Sequence, residues 1–348
     1  MDTDTDMDEA DVALLDALHT NPRASFERLA ATLAVAPVTV ARRWRRLYES
    51  GRAWVSSVPG PHLALAGAVC EIAPEPGRAV QVGRALAAVP QVASVYLTSG
   101  EFAVHALVFA GDSASLAGLL LDVVPAVPGA ARARSHVGTD WLSGVRWRLG
   151  ALSSTQRSSV GGAEAGGERA EAERSRVRVF EPHERALYLA LQRDGRAGYR
   201  ELARELAVPE HQVRRQTESL VRRGMLAFRT DFARREGGWP VEVVLWLAVA
   251  HDEIEQVGAH LAAWPETRIA MATVGRADLL LMTQLHRLDD LGRLRARLHD
   301  SHPGVTVVDE SVVLRPIKSW GRLLDAAGRA AGVVPVDPWA ELHADFDQ

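Results

Sequence analysis

Four of the five residues from Arg42 to Arg46 are arginines, interrupted only by Trp44. A guanidinium carries five N–H donors in a planar fork, which suits phosphate oxygens and the O6/N7 edge of guanine. Placed on a helix at about 100° per residue, Val40, Trp44, Leu47 and Tyr48 share one side. Thr39, Arg42, Arg45, Arg46 and Glu49 share the other, with Arg43 at the flank. A helix with an apolar underside and a guanidinium-rich outer face would displace counterions from double-stranded DNA and read base edges. On this geometry Val38, Thr39 and Arg42 come nearest the bases, and Arg43, Arg45 and Arg46 nearer the phosphates.

The elements around that helix have to present it. Val12, Leu14, Leu15 and Leu18 form the apolar face of a first helix that stops at Asn21-Pro22. Ser25 caps a second, with Leu29, Ala30 and Leu33 inward, and Ala34-Val35-Ala36 turns the chain into the basic helix. Pro37 suits its first turn, where no amide donor is needed. Two short helices, a tight turn and a basic helix form the helix-turn-helix arrangement.

The chain repeats itself. Leu29-Ala30-Ala31-Thr32-Leu33-Ala34-Val35 matches Leu202-Ala203-Arg204-Glu205-Leu206-Ala207-Val208 at a shift of 173 residues, which also carries Val40 to Val213 and Gly51 to Gly224. Further on the shift is 175: Leu86-Ala87-Ala88-Val89-Pro90 matches Leu261-Ala262-Ala263-Trp264-Pro265, and Gly100 falls on Gly275. Such widely spaced landmarks in register mark a tandem duplication. The second reading face is weaker. Gln212, Arg215 and Arg222 are its candidate contacts, but Glu218 stands where Arg45 does and repels phosphate.

After each helical module the pattern changes. Residues 63–140 alternate strand-like and helix-like stretches in the order βαββαβ, and residues 241–314 repeat it. Such a module packs as an antiparallel sheet with both helices on one face. Val243-Val244-Leu245-Trp246-Leu247 is apolar on both sides, so the second face must also be buried, with the sister copy the natural partner. Between the copies, residues 153–175 hold one large apolar residue, Val160, and read as a flexible linker.

Composition bounds the rest. In 348 residues, 40 basic side chains face 44 acidic ones, so nucleic-acid binding has to come from a local patch. Only Lys318 is lysine. Cys70 is the single cysteine, which excludes an internal disulfide and a cysteine-rich metal cluster, and its apolar strand argues for a core thiol. His299 and His302 lack a ligand set around them, and no phosphate loop, dinucleotide fingerprint or nucleophile elbow appears. No catalytic residue, metal or cofactor is expected. The acidic N-terminus is unlike a secretory signal, and Val243–Ala250 is too short to span a bilayer; the expectation is a cytoplasmic protein with no membrane association.

A helix-turn-helix joined to a βαββαβ module, twice over, resembles the Lrp/AsnC (feast/famine) family of transcriptional regulators as a fused dimer. Members show Ser-Pro followed by Val, Arg and Leu in the recognition helix; Ala36-Pro37, Val40, Arg43 and Leu47 stand in that pattern here. Copy two departs, with Glu210 for Pro37 and Gln216 for Arg43. The resemblance implies an α+β fold: two copies of a winged helix-turn-helix plus a ferredoxin-like (RAM) domain, a pseudo-dimer in one chain. The domains would be residues 8–58, 61–150, 180–236 and 239–325, with a linker at 151–177 and a tail at 326–348. It also implies a small effector, commonly an amino acid, near a Gly-acidic-aromatic-acidic turn. The matching residues are Gly100, Glu101 and Phe102 in copy one and Gly275, Arg276 and Asp278 in copy two. The implied partners are double-stranded DNA, that effector and further copies of the chain. Two other readings share the architecture: an enzyme resembling siroheme decarboxylases, which the lack of histidine in Val95–Gly100 disfavours, and a ligand-sensing assembly module without DNA contact.

Overall fold

The computed structural model describes residues 7–143, 147–161, 179–343 and 346. Copy one runs α1 (Glu9–Thr20), α2 (Phe26–Leu33), α3 (Pro37–Glu49), β1 (Ala53–Pro59), β2 (Ala66–Pro74), α4 (Ala79–Ala88), β3 (Val92–Thr98), β4 (Val104–Ala110), α5 (Ser113–Gly118) and β5 (Ala130–Ser143). After α6 (Ser154–Val160), copy two runs α7 (Pro182–Arg193), α8 (Tyr199–Glu205), α9 (Glu210–Arg222), β6 (Leu226–Phe232), β7 (Val241–Ala248), α10 (Ile254–Ala262), β8 (Thr267–Val274), β9 (Leu279–Leu285), α11 (Asp290–Ser301) and β10 (Thr306–Ser319). Two short strands follow, β11 (Arg322–Leu324) and β12 (Ala330–Val333). Backbone and sequence repeat together. Ala34 and Ala207 both take the left-handed conformation at the helix-turn-helix corner, with φ of 53° and 54°. Gly51 and Gly224, the next repeat-related pair, do so at 69° and 65°.

The chain does not pack copy by copy. The described parts of residues 1–64 and 145–233 form one compact unit, and those of 65–144 and 234–348 form the other. The first unit therefore holds both helix-turn-helix heads and the second holds both sheets.

In the head unit, local signals set each helix. Asp8 and Asp11 make a capping box at α1, Ser25 caps α2, and Pro37 opens α3. The wings β1 and β6 pair antiparallel from Ala53↔Phe232 to Pro59↔Leu226, which joins the heads. Ser57 Oγ donates to the Tyr188 carbonyl and Thr230 Oγ to that of Leu18, so each wing reaches the other copy's first helix.

Two expectations need correction here. Residues 154–160 of the expected flexible linker are helical. Val160 is fully buried, and Asp16 accepts hydrogen bonds from the Leu149 and Leu152 amides and from Arg157. Capping of α6 by Ser153 and Gln156, with this buried anchor, supplies the order that composition alone did not suggest. Residues 162–178 of the expected linker lie outside the described residues. The segment after β5 also departs from the expected first sheet domain, because Trp147 stacks on Phe232 in the head unit, their ring centroids 5.7 Å apart.

In the sheet unit, copy one orders its strands β3-β4-β2-β5 and copy two β8-β9-β7-β10. Two long strands join them. β5 pairs with β2 through Ala130–Val137 and then with β8 from Val137 to Ser143. β10 pairs with β7 through Thr306–Val312 and then with β3 from Val313 to Lys318. The eight strands close into a ring, so the second face of each sheet lines a shared interior, as the doubly apolar β7 required. The outer faces carry the helices: Val82, Leu86 and Leu116 pack on β2–β4, and Val257, Leu261 and Leu294 on β7–β9. Nor is the expected tail, residues 326–348, an appendage. β12 pairs with β11, and the Asp337 amide donates to the Pro90 carbonyl.

Candidate nucleic-acid interface and effector turns

Helix α3 buries Val40, Trp44 and Leu47 and leaves the opposite side open. Val38 is 74% exposed, Arg42 and Arg45 are exposed, and Thr39 is half-buried at the helix start. Neither Arg42 nor Arg45 forms an ion pair among the described residues. The other two arginines are engaged. Arg43 donates to both carboxylate oxygens of Asp8, at 2.9 and 2.8 Å, and to Asp11 at 2.8 Å. Arg46 donates to the other oxygen of Asp11. Asp11 is fully buried, so its charge needs these partners. Partial burial of Asp8 opposes its ionisation, but the hydrogen bonds from Arg43 and the Asp11 amide, with the charges of Arg43 and Arg46, together outweigh this and hold its carboxyl below the usual range.

In the free chain Arg43 and Arg46, expected nearer the phosphates, are held by these carboxylates. They fasten α3 to the start of α1, while Arg42 and Arg45 remain on the reading side. The acids Asp8 and Asp11 were visible in the sequence as part of an acidic N-terminus, but a run of acids there names no partner.

On α9 of copy two, Arg215 and Arg222 are exposed and Gln212 is half-buried. Arg214 lies 3.6 Å from Glu210 and over the Tyr199 ring, and Arg223 pairs with Glu184 at 2.8 Å. Glu218 is exposed on this face, as expected from the repeat. The two faces thus carry unequal positive charge.

Sequence reasoning missed a pair of residues between the heads. Arg23 follows α1 in copy one, and Arg196, 173 positions later, follows α7 in copy two. Arg23 donates to the carbonyls of Gly195 and, at 3.2 Å, Ala197. Arg196 returns the contact to Pro22 at 2.6 Å and Ala24 at 2.9 Å. The signal was present as Pro22-Arg23-Ala24 against Gly195-Arg196-Ala197, but a match between copies does not say that the copies touch.

In the sheet unit the turn between β3 and β4 holds Gly100 at φ 96°, with Glu101 paired to Arg132. The Phe102 ring lies under two guanidiniums, 4.0 Å from Arg134 and 5.7 Å from Arg132. In the turn between β8 and β9, Arg276 is exposed, and a side chain at Gly275 would run into the His136 ring. Asp278 is committed to backbone, since its carboxylate accepts the Val249 amide at 2.9 Å. Asp278 is half-buried in its turn, whereas Glu101 is exposed.

Behind Phe102 the ring interior contains a polar cluster with no counterpart in the sequence reading. Buried Glu71 accepts from Arg134 at 2.6 Å and faces His136 Nε2 at 2.9 Å and His105 Nε2 at 3.2 Å. Burial alone would raise the Glu71 pKa. Hydrogen bonds from His105, His136 and Arg134 outweigh burial and hold it far below the usual carboxylate range. Arg134 also reaches Asp309 at 2.8 Å, and Trp246 stacks on His136 with centroids 4.0 Å apart. Among the described residues no group of three His, Cys, Asp or Glu side chains is arranged to hold a metal ion. Neighbouring interior space, lined by His105, Tyr96, Leu107 and Met282, has room for about one water molecule. Cys70 is buried and its thiol is pushed up to about 12, which suits packing and not nucleophilic chemistry.

A profile for an AsnC-type helix-turn-helix domain matches residues 7–48. A profile for an Lrp/AsnC ligand-binding domain matches twice, at residues 67–140 and 242–323. An uncharacterised HTH-type transcriptional regulator of Pyrococcus horikoshii is 29% identical over 141 residues, which is 40% of this chain and 87% of that protein. One of Pyrococcus furiosus is 27% identical over 138 residues, 39% of this chain and 92% of its own. Among solved structures, the siroheme decarboxylase NirDL superposes over 90% of this chain and 93% of its own, with a TM-score of 0.56 and 13% identity. At that identity the likeness describes a shared fold. No helix among the described residues is long and apolar enough to cross a membrane.

Proposed function

We propose that this chain, which belongs to the Lrp/AsnC family, is a DNA-binding transcriptional regulator that reads its operator chiefly through the first copy's α3. The observation that carries this reading is the exposed face of Val38, Thr39, Arg42 and Arg45 on a helix whose opposite side is buried. Docked in a major groove, that face offers two unpaired guanidiniums to bases and phosphates. The second head contributes Arg215 and Arg222 beside Glu218, so it suits a looser half-site. In vitro selection from random duplexes tests the reading. The expected product is a motif with one well-defined half and one degenerate half. Recovery of no enriched sequence by the full chain refutes it.

The sheet unit is proposed to bind a small zwitterionic effector at the Gly100–Phe102 turn. Glu101 would receive an ammonium and Arg132 a carboxylate, once their mutual ion pair opens. Exposed Val137 and Val274, register neighbours on β5 and β8, give the chain an apolar patch for association with further copies. Light scattering with and without amino acids examines both points.

The enzyme reading draws on the shared fold and on His105 and His136, which the strand Val95–Gly100 did not reveal. Both rings already face Glu71, and the interior space beside His105 has room for about one water molecule. A spectral titration with siroheme decides: a bound-state spectrum at stoichiometric ligand would reinstate that reading.

A further inference from the structure

We propose that Arg23 and Arg196 are positioning residues that set the separation of the two reading heads, and with it the half-site spacing the chain accepts. The proposal rests on the DNA-binding reading above and deepens it. Each guanidinium leaves the loop between the first two helices of its own head and enters the same loop of the other head. There it donates to two backbone carbonyls, Gly195 and Ala197 for Arg23, Pro22 and Ala24 for Arg196. A planar fork on a pair of carbonyls fixes direction as well as distance, which a single point contact would not.

The latch also reaches the reading helix. Arg196 lies between the rings of Phe26, at the start of α2, and Trp44, on the buried side of α3, at 5.0 and 5.5 Å. Arg23 lies between Tyr199, at the start of α8, and Phe228 of β6, at 5.2 and 5.3 Å. Movement of either head about the wing pair would pull a guanidinium from both its carbonyls and its rings. Burial and the nearby charge of Arg23 lower the Arg196 pKa to about 10, so the contact still carries a charge at neutral pH.

A second tie accompanies the latch: the Gly195 amide donates to the Val55 carbonyl at 2.8 Å. Wing pairing keeps the heads together; the arginines fix the angle at which they sit. Two heads held at one separation bind DNA as a bivalent ligand only when both half-sites are in reach and in helical phase.

Two measurements test this on the full-length chain. In the first, the selected operator is rebuilt with its halves moved apart in single-base-pair steps across one helical turn, and binding is read at fixed salt. Native protein is expected to lose affinity about tenfold or more at half-turn offsets and to recover it near a full turn of about 10.5 base pairs. Arg23→Ala/Arg196→Ala flattens that profile several-fold while keeping the copy-one footprint. An unchanged profile in the double variant overturns the proposal.

The second measurement needs no DNA. Spin labels at Val38→Cys and His211→Cys report the distance between the reading faces, and buried Cys70 stays unlabelled in the folded chain. One narrow distance distribution is expected for the native background and a broad one after Arg23→Ala/Arg196→Ala; equal widths refute the latch. Arg196→Lys, which keeps charge and loses the fork, should broaden the distribution at unchanged melting temperature. A distribution as narrow as the native one in that variant likewise overturns the proposal. Failure to select any operator removes the DNA reading, while the label distances still decide the latch.

Discussion

The four arginines of α3 divide into two pairs with opposite predicted phenotypes. Arg42 and Arg45 face outward without ion-pair partners among the described residues, whereas Arg43 and Arg46 serve buried Asp11. In Arg42→Ala/Arg45→Ala, two outward-facing charges proposed to meet phosphates are removed, and no ion pair among the described residues is lost. Each phosphate contact contributes about 0.9 to the slope of log affinity against log salt, so the double variant should lower that slope by roughly 1.8. Between roughly 50 and 200 mM salt, native protein would then lose about twelvefold more affinity than the variant. If Arg42 also holds a base edge, a further cost of about 1–3 kcal/mol appears on specific DNA alone. In Arg43→Ala/Arg46→Ala, the Asp11 charge keeps no side-chain cation. The expected loss is about 2–3 kcal/mol of head-unit stability, below the usual figure for a fully buried pair because both arginines are partly exposed. Fluorescence anisotropy across a salt series, beside thermal melts of the same samples, separates the two outcomes. The partition is wrong if the Arg42/Arg45 variant keeps the native salt slope. It is equally wrong if the Arg43/Arg46 variant melts like native protein and loses the slope instead.

Three further outcomes follow from single residues. Glu71, held ionised in the fold below its unfolded pKa of about 4.3, stabilises the protein fully above that value and progressively less as pH falls, so Glu71→Gln should flatten the acid limb of a melting-temperature profile. Lys318 is completely buried, its Nζ donates to the Val89 carbonyl, and burial lowers its pKa to about 7. The unfolded chain therefore takes up the proton first as pH drops, so Lys318→Met should add up to ~5 kcal/mol near pH 7 and almost nothing near pH 10, measured by denaturant titration. A Cβ at Gly60 would lie 2.3 Å from the Gly224 carbonyl oxygen, and Gly60→Ala should cost roughly 2–4 kcal/mol in the melt by prising β1 from β6.

What the sequence revealed and what it concealed divide along the range of the interactions. Apolar periodicity, Ser25, Pro37 and the repeat landmarks are local, and they sufficed for the α+β architecture and the exposed side of α3. The closed ring was half legible: β7, apolar on both faces, demanded a cover, but nothing local says that β5 and β10 run on to pair with the other copy. Concealed entirely were contacts made by polar residues far apart in sequence. Asp11 reads as one more acid in an acidic stretch until α3 is laid against α1. Glu71, His105 and His136 sit on three different strands, and only the antiparallel register brings them to one point. The α6 error has the same origin: seven residues with one apolar side chain look like linker, and their order comes from Asp16, more than a hundred residues earlier.

Fusion of the two copies explains why the ring interior can be one-sided. Arg134 and Asp309, which meet at 2.8 Å, are themselves separated by the 175-residue shift of the repeat. In a pair of identical subunits that contact would set like against like, two arginines or two aspartates, which repel. A single chain escapes the constraint, because each half of the ring can evolve its own residue. The same freedom places Trp246 at the position related to Glu71 and Ser311 at that related to His136, so copy one supplies the charged cluster and copy two the flat ring that covers it. The heads diverge in the same way, Arg45 against Glu218, while Arg23 and Arg196 stay alike. Residues that meet the other copy's backbone need no complement and keep their symmetry. Those that meet their own counterpart, or face outward, differ between the copies, as the proposed operator with two unlike halves would require.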